Sequence, residues 1–184
     1  MDGYAGYHKV AKVTLVGCWA HARRKFDEAL KALPIGTAAQ QGLTFCNQLF
    51  AIERELKEVT PEERENVRME RIRLILDAFS TWLRPQKSRI LPKSALGQAI
   101  TYGLNQWEKL TAFLKDGRLE IDNNRSELAI KPFVIRRKNW LFANTPRGAK
   151  ASPVIYSVME MVKEYGLTPF QYLKFLFEQL PPAP

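Results

Sequence analysis

The chain has 184 residues, 46% of them hydrophobic and 26% charged, enough for one sizeable core and ordinary for a globular protein. No apolar run approaches the ~20 residues that cross a bilayer. No cleavable hydrophobic leader is visible, and two cysteines make no disulfide framework, so a cytoplasmic protein is expected. The net charge of +9 points to a polyanionic partner.

The first predicted element is a short buried strand at Lys12–Trp19 (KVTLVGCW), β-branched and apolar. Its backbone groups need sheet partners, which the rest of the chain hardly supplies, so most of the sheet is expected upstream of Met1. Ala20–Leu33 follows with helical character and stops at Pro34. A second helix is predicted over Ala38–Lys57, with Leu43, Cys46, Leu49, Phe50 and Leu56 on or near one face. Thr60-Pro61-Glu62-Glu63 opens a third, with an N-cap, a proline at the first position and a capping-box glutamate. Ile72, Ile75, Leu76, Phe79, Trp82 and Leu83 then recur at helical spacing. A fourth runs over Ser94–Lys115 and closes at Asp116-Gly117, where the glycine suits a left-handed C′ position. Thr168-Pro169-Phe170-Gln171 repeats the capping grammar and opens a final helix ending at Pro181. Trp82, Trp107 and their apolar neighbours read as packing between helices.

Charge is unevenly spread. Asp27–Ile121 holds 14 basic and 13 acidic residues, whereas Leu128–Met159 holds six basic residues and no acid. Those six are Lys131, Arg136, Arg137, Lys138, Arg147 and Lys150, interleaved with Trp140 and Phe142. Cations neutralise phosphates and aromatic rings stack on unpaired bases, so the block reads as a DNA-contacting surface. The plainer alternative is a solvated charged face with two core aromatics. Arg23-Arg24-Lys25 either adds to the same surface or lies on the exposed side of its helix.

Asn124-Arg125-Ser126-Glu127 fits a capping box on spacing alone, with Asn124 as N-cap and Glu127 at the third helical position. Cys18-Trp19-Ala20-His21 has Cys-x2-His spacing, but its only other soft partners, His8 and Cys46, do not pair as a zinc site requires. No Gly-rich phosphate loop, cofactor box or Ser-His-Asp arrangement is visible.

Three segments resemble transposases of the insertion sequence 66 family. They are Asp2-Gly3-Tyr4-Ala5-Gly6-Tyr7, then Gly17 to Phe26 (GCWAHARRKF), then Gly117 to Glu127 (GRLEIDNNRSE) running on to Arg137-Lys138-Asn139-Trp140-Leu141-Phe142-Ala143. The likeness continues through Ile155-Tyr156-Ser157 and Tyr165-Gly166-Leu167 to the end of the chain. It implies a mostly α fold with a small β component: the C-terminal part of an RNase H-like α/β core carrying a helical insertion. On that division, 1–33 is part of the core, 34–117 the insertion, and 118–184 the last part of the core with its basic segment.

The resemblance also implies a catalytic triad of two aspartates and a glutamate. Asp2 matches the second aspartate and Glu127 the glutamate, while the first aspartate is expected upstream. Asp2 and Glu127 would then be both catalytic residues and ligands of Mg2+ or Mn2+. Two such ions ~3.5–4 Å apart activate the attacking oxygen and neutralise the leaving one, and hard cations choose carboxylate oxygens. His21, Asp122, Asn123 and Asn124 would support the site around these ligands, although Asp122 reads first as a turn or cap residue and His21 has a buried structural histidine as its close alternative. Where the family usually has arginine after the glutamate, this chain has Leu128. DNA at the element ends and target, and a homo-oligomer in the transposition complex, are the implied partners. The rival reading is a non-catalytic DNA-binding or assembly module derived from a decayed transposase.

Overall fold

The computed structural model describes residues 13–33, 37–136 and 145–180. The chain divides into two compact units, Met1–Asn123 and Asn124–Pro184.

The first unit is built from α1 (Trp19–Ala32), α2 (Thr37–Glu55), α3 (Pro61–Val67), α4 (Arg73–Arg89), α5 (Ala95–Asn105) and α6 (Trp107–Thr111). A π-helical turn, Arg68–Ile72, joins α3 to α4, and a 3-10 turn, Ala112–Lys115, follows α6. The N-terminus of α3 forms as its local signals require. Thr60 accepts a hydrogen bond from Glu63 N at 3.2 Å, and Pro61 occupies a first-turn position that needs no N–H donor. Ser94 does the same for α5, accepting from Gly97 N at 3.0 Å.

The inner face of α1 carries Trp19, Ala22, Phe26 and Ala29, spaced three and four apart, and it packs on α2 and α5. Buried Leu43, Cys46, Leu49 and Ile52 of α2 share its core, to which α4 contributes Leu76, Phe79 and Leu83. Phe79 sits at the centre of this core. Its ring stacks on Phe45 at 4.8 Å and lies 5.9 Å from each of Trp19, Trp82 and Trp107. At Gly42 an added Cβ would come within 2.4 Å of the Phe26 ring, so glycine is what lets α1 approach α2.

Three expectations change here. The strand expected at Lys12–Trp19 does not form over the described part, 13–18, and no strand occurs among the described residues. Instead Gly17 N donates to Lys109 O at 2.7 Å and Trp19 N donates to Ile121 O at 3.1 Å. Single bonds to a helix and a loop satisfy these donors where a ladder was expected, and Trp19 already begins α1. The helix expected over Ser94–Lys115 breaks at Gln106 and tightens into the 3-10 turn. Gly117 is not left-handed: among the described residues the only glycine with positive φ is Gly166, at 69°. Gly117 is needed for clearance, since a Cβ there would lie 1.8 Å from Pro61 O.

The second unit contains α7 (Asn124–Arg136), α8 (Pro146–Glu164) and α9 (Pro169–Gln179). Thr145 caps α8, accepting from Gly148 N at 3.1 Å. Gly166 ends α8, with Gly166 N bonding to Lys163 O at 2.9 Å and Leu167 N to Val162 O at 3.0 Å. Thr168, whose sequence grammar matches Thr60, makes no side-chain cap bond to α9.

Candidate functional site

The segment leading to Glu127 is shaped one residue at a time. After the 3-10 turn, the Asp116 carboxylate accepts from Arg118 N at 2.8 Å and pairs with the Arg118 guanidinium at 2.6 Å. The bond from the guanidinium, more than any other influence, holds the Asp116 carboxyl down at about 2. Gly117 then passes against the first turn of α3, Leu119 packs on the core, and Ile121 is buried. Asp122 and Asn123 are half-buried, and Asn123 Oδ1 is buried with no hydrogen-bond partner among the described residues.

Asn124 is the first residue of α7, which puts Glu127 in the first turn one position later than the capping box placed it. Its residue is exposed, and a carboxylate there sits at the positive end of the helix dipole. Leu128, beside it, is exposed to solvent as well.

Two of the three motifs meet. The bond from Trp19 N to Ile121 O, with Trp19 Nε1 donating to Leu110 O at 2.7 Å, ties Gly17–His21 to the Gly117–Asn123 segment. Half-buried His21 therefore lies in the first turn of α1, two residues after the one that holds Ile121. Asp2 lies outside the described residues, as do Arg137, Lys138 and Trp140; Arg136 is the last residue of α7. Lys131 is exposed on α7, and Arg147 and Lys150 are exposed near the start of α8. The first turn of α8 has no acidic residue, although its dipole would favour one. Pro146 has no N–H and Gly148 N is taken by the Thr145 cap, so what distinguishes this end of α8 is its two exposed cations.

Asp122 and Glu127 carry hard oxygen donors of the kind Mg2+ and Mn2+ take, and next to Asp122 in the chain the buried Asn123 Oδ1 has no hydrogen-bond partner. Among the described residues no three His, Cys, Asp or Glu side chains come together. Cys18 and Cys46 are fully buried, and burial pushes the Cys46 thiol up to about 12, where it stays protonated. A protonated thiol is no metal ligand.

Sequence reasoning missed Arg64, Arg68 and Glu53. Arg68 is wholly buried, and its side chain reaches the backbone of the Phe113–Leu119 stretch. The signal was present: position 68 lies one turn before Ile72 on the same stripe as Leu76, Phe79 and Leu83. An arginine on an apolar stripe requires a buried partner.

A family model for the "Transposase IS66 family" matches residues 1–151. The chain belongs to that family. Among its relatives in Sinorhizobium fredii, the uncharacterized protein y4jD is 32% identical over 189 residues, which is 98% of this chain and 37% of y4jD. A second, the uncharacterized protein y4hP, is 31% identical over 190 residues, covering 94% of this chain and 34% of y4hP. The chain thus spans about a third of the length of the curated relatives it matches. No solved structure matches it. Among the described residues, no helix is long and apolar enough to cross a membrane.

Proposed function

We propose that this chain is the C-terminal portion of a DNA-cutting and strand-joining transposase of the RNase H-like type, with Asp2 and Glu127 as ligands of a divalent metal. The observation that carries the reading is the family match over residues 1–151, which takes in both the Asp2-Gly3-Tyr4-Ala5-Gly6 motif and the Asp122–Glu127 segment. The bound ions would supply an activated oxygen nucleophile and a neutralised leaving oxygen.

The chain's own residues do the rest. Lys131, Arg136, Arg137, Lys138, Arg147 and Lys150 neutralise backbone phosphates, and Trp140 stacks on an unpaired base. Leu128 has no charge to offer a phosphate. His21, Asp122, Asn123 and Asn124 orient the ligands and the DNA.

The test is cleavage of element-end DNA by the full-length protein that carries this region. Glu127→Gln keeps the side-chain shape but removes the negative charge; cleavage collapses while DNA binding and folding survive. Asp2→Asn behaves alike and Asp122→Asn is milder. Near-normal cleavage by Glu127→Gln would sink the assignment. DNA binding by the parent protein without any metal-dependent cleavage would favour the non-catalytic assembly module. Replacing Arg147 and Lys150 with alanine should reduce the log–log salt slope of binding by about 0.9 for each phosphate no longer neutralised.

A further inference from the structure

Arg68 has five N–H donors, and the structure accounts for all five. Nε and Nη2 donate to the two Glu53 carboxylate oxygens at 2.7 and 2.8 Å. Nη1 donates to Phe113 O at 3.0 Å and to Asp116 O at 3.2 Å, and Nη2 also donates to Leu119 O at 2.9 Å. The guanidinium lies 5.0 Å from the centroid of the Phe113 ring. Arg68 is 0% exposed and the Glu53 side chain 11%. One turn earlier, Arg64 bonds to Leu56 O at 2.7 Å and reaches Gly117 O at 3.5 Å.

Three of the five bonds end on carbonyls of a single stretch, from Phe113 within the 3-10 turn to Asp116 and Leu119 beyond it. A rigid planar fork that binds three carbonyls of one stretch dictates the path of the backbone between them. An ion pair so deeply buried is a weak source of net stability, because apolar residues of similar volume often serve as well. Arg68 also occupies a π-helical turn, a helix defect that recurs at functional sites. The path it dictates continues through Ile121, pinned to Trp19 N, into Asp122 and Asn123.

We propose that Arg68, anchored by Glu53, is a positioning residue: it sets the path of Phe113–Leu119 and through it holds the Asp122–Asn123 segment, which in sequence leads to the proposed metal ligand Glu127. This rests on the reading of Glu127 as a metal ligand. The helical block around Arg68 is then a scaffold for the catalytic segment as well as a packed unit in its own right.

The test uses the whole chain with two variants, Arg68→Lys and the double variant Glu53→Leu/Arg68→Met, which replaces the pair by apolar side chains. Amide hydrogen exchange is expected to accelerate about tenfold or more over residues 117–123 in the double variant, with α1, α2 and α5 as protected as before. Arg68→Lys keeps the charge but has only three donors and no fork, so it should fall between parent and double variant. Unchanged exchange over 117–123 in a folded double variant overturns the proposal, as does an equal rise in α1, α2 and α5. Unfolding of both variants makes the pair structural and overturns it too. A second arm adds Mn2+ and follows paramagnetic broadening of the amide signals at 122–127. Broadening in the parent that disappears in the double variant supports positioning, and broadening that persists overturns it. No broadening in the parent counts against Glu127 as a ligand, and the exchange result then decides the role of Arg68 alone.

Discussion

The two units are both helical and are held in different ways. In Met1–Asn123, α1, α2, α4 and α5 share one core in which the Phe79 ring packs among Trp19, Phe26, Phe45, Trp82 and Trp107. In Asn124–Pro184, Val162 is the one hydrophobic residue that is buried among those described. Leu128, Val134, Val154, Phe170, Phe175 and Phe177 are all more than half exposed. What defines the helices of this second unit is local: the Thr145 cap, prolines in the first turns of α8 and α9, and the glycine stop at Gly166. Local signals are sufficient to start and stop a helix, whereas only a shared interior makes its loss expensive. The segment with Asp122 and Asn123 ends the first kind of structure, and Glu127 begins the second.

The largest effect should separate the two kinds of phenylalanine. Phe79→Ala removes a fully buried ring and should cost about 3–5 kcal/mol in urea unfolding, read by the fluorescence of Trp19, Trp82 and Trp107. Phe175→Ala, followed by far-ultraviolet circular dichroism, should change stability by no more than about 0.5 kcal/mol. Equal costs would mean that the contrast between the units is wrong.

A smaller effect tests two threonines with the same sequence grammar. Thr60→Ala loses the bond to Glu63 N and should cost about 1 kcal/mol. Thr168→Ala loses no cap bond and should leave the unfolding midpoint in place.

The smallest effect concerns acid. The Asp116 carboxyl is lowered from its ordinary 3.8 to about 2, chiefly by its hydrogen bond from the Arg118 side chain. A folded value below the unfolded one means that the bond stabilises the first unit above pH 3.8, and that this is lost as pH falls towards 2. Carboxyl-carbon resonance titration should show the low midpoint, and Arg118→Ala should move it back up. A midpoint that ignores Arg118 would place the cause elsewhere.

By itself the sequence determined what neighbours along the chain can settle. The start of α3 follows from a hydroxyl cap and proline, and the apolar stripe of α4 follows from the 3.6-residue period. The motifs from Asp2, Gly17 and Gly117 carried the family, and the acid-free stretch after Leu128 marked the basic residues. Tertiary structure decided the rest, because the competing partners come from far along the chain. Val13–Cys18 has a strand's composition, but strand formation depends on a paired neighbour, and the donors of Gly17 and Trp19 find Lys109 O and Ile121 O instead. Gly117 has the composition of a helix stop, yet its missing Cβ serves the passage of Pro61. Arg68 looked like one more basic residue in a balanced block. Only folding brings Glu53 and three carbonyls around its guanidinium, and burial without those partners would be prohibitive for a charge.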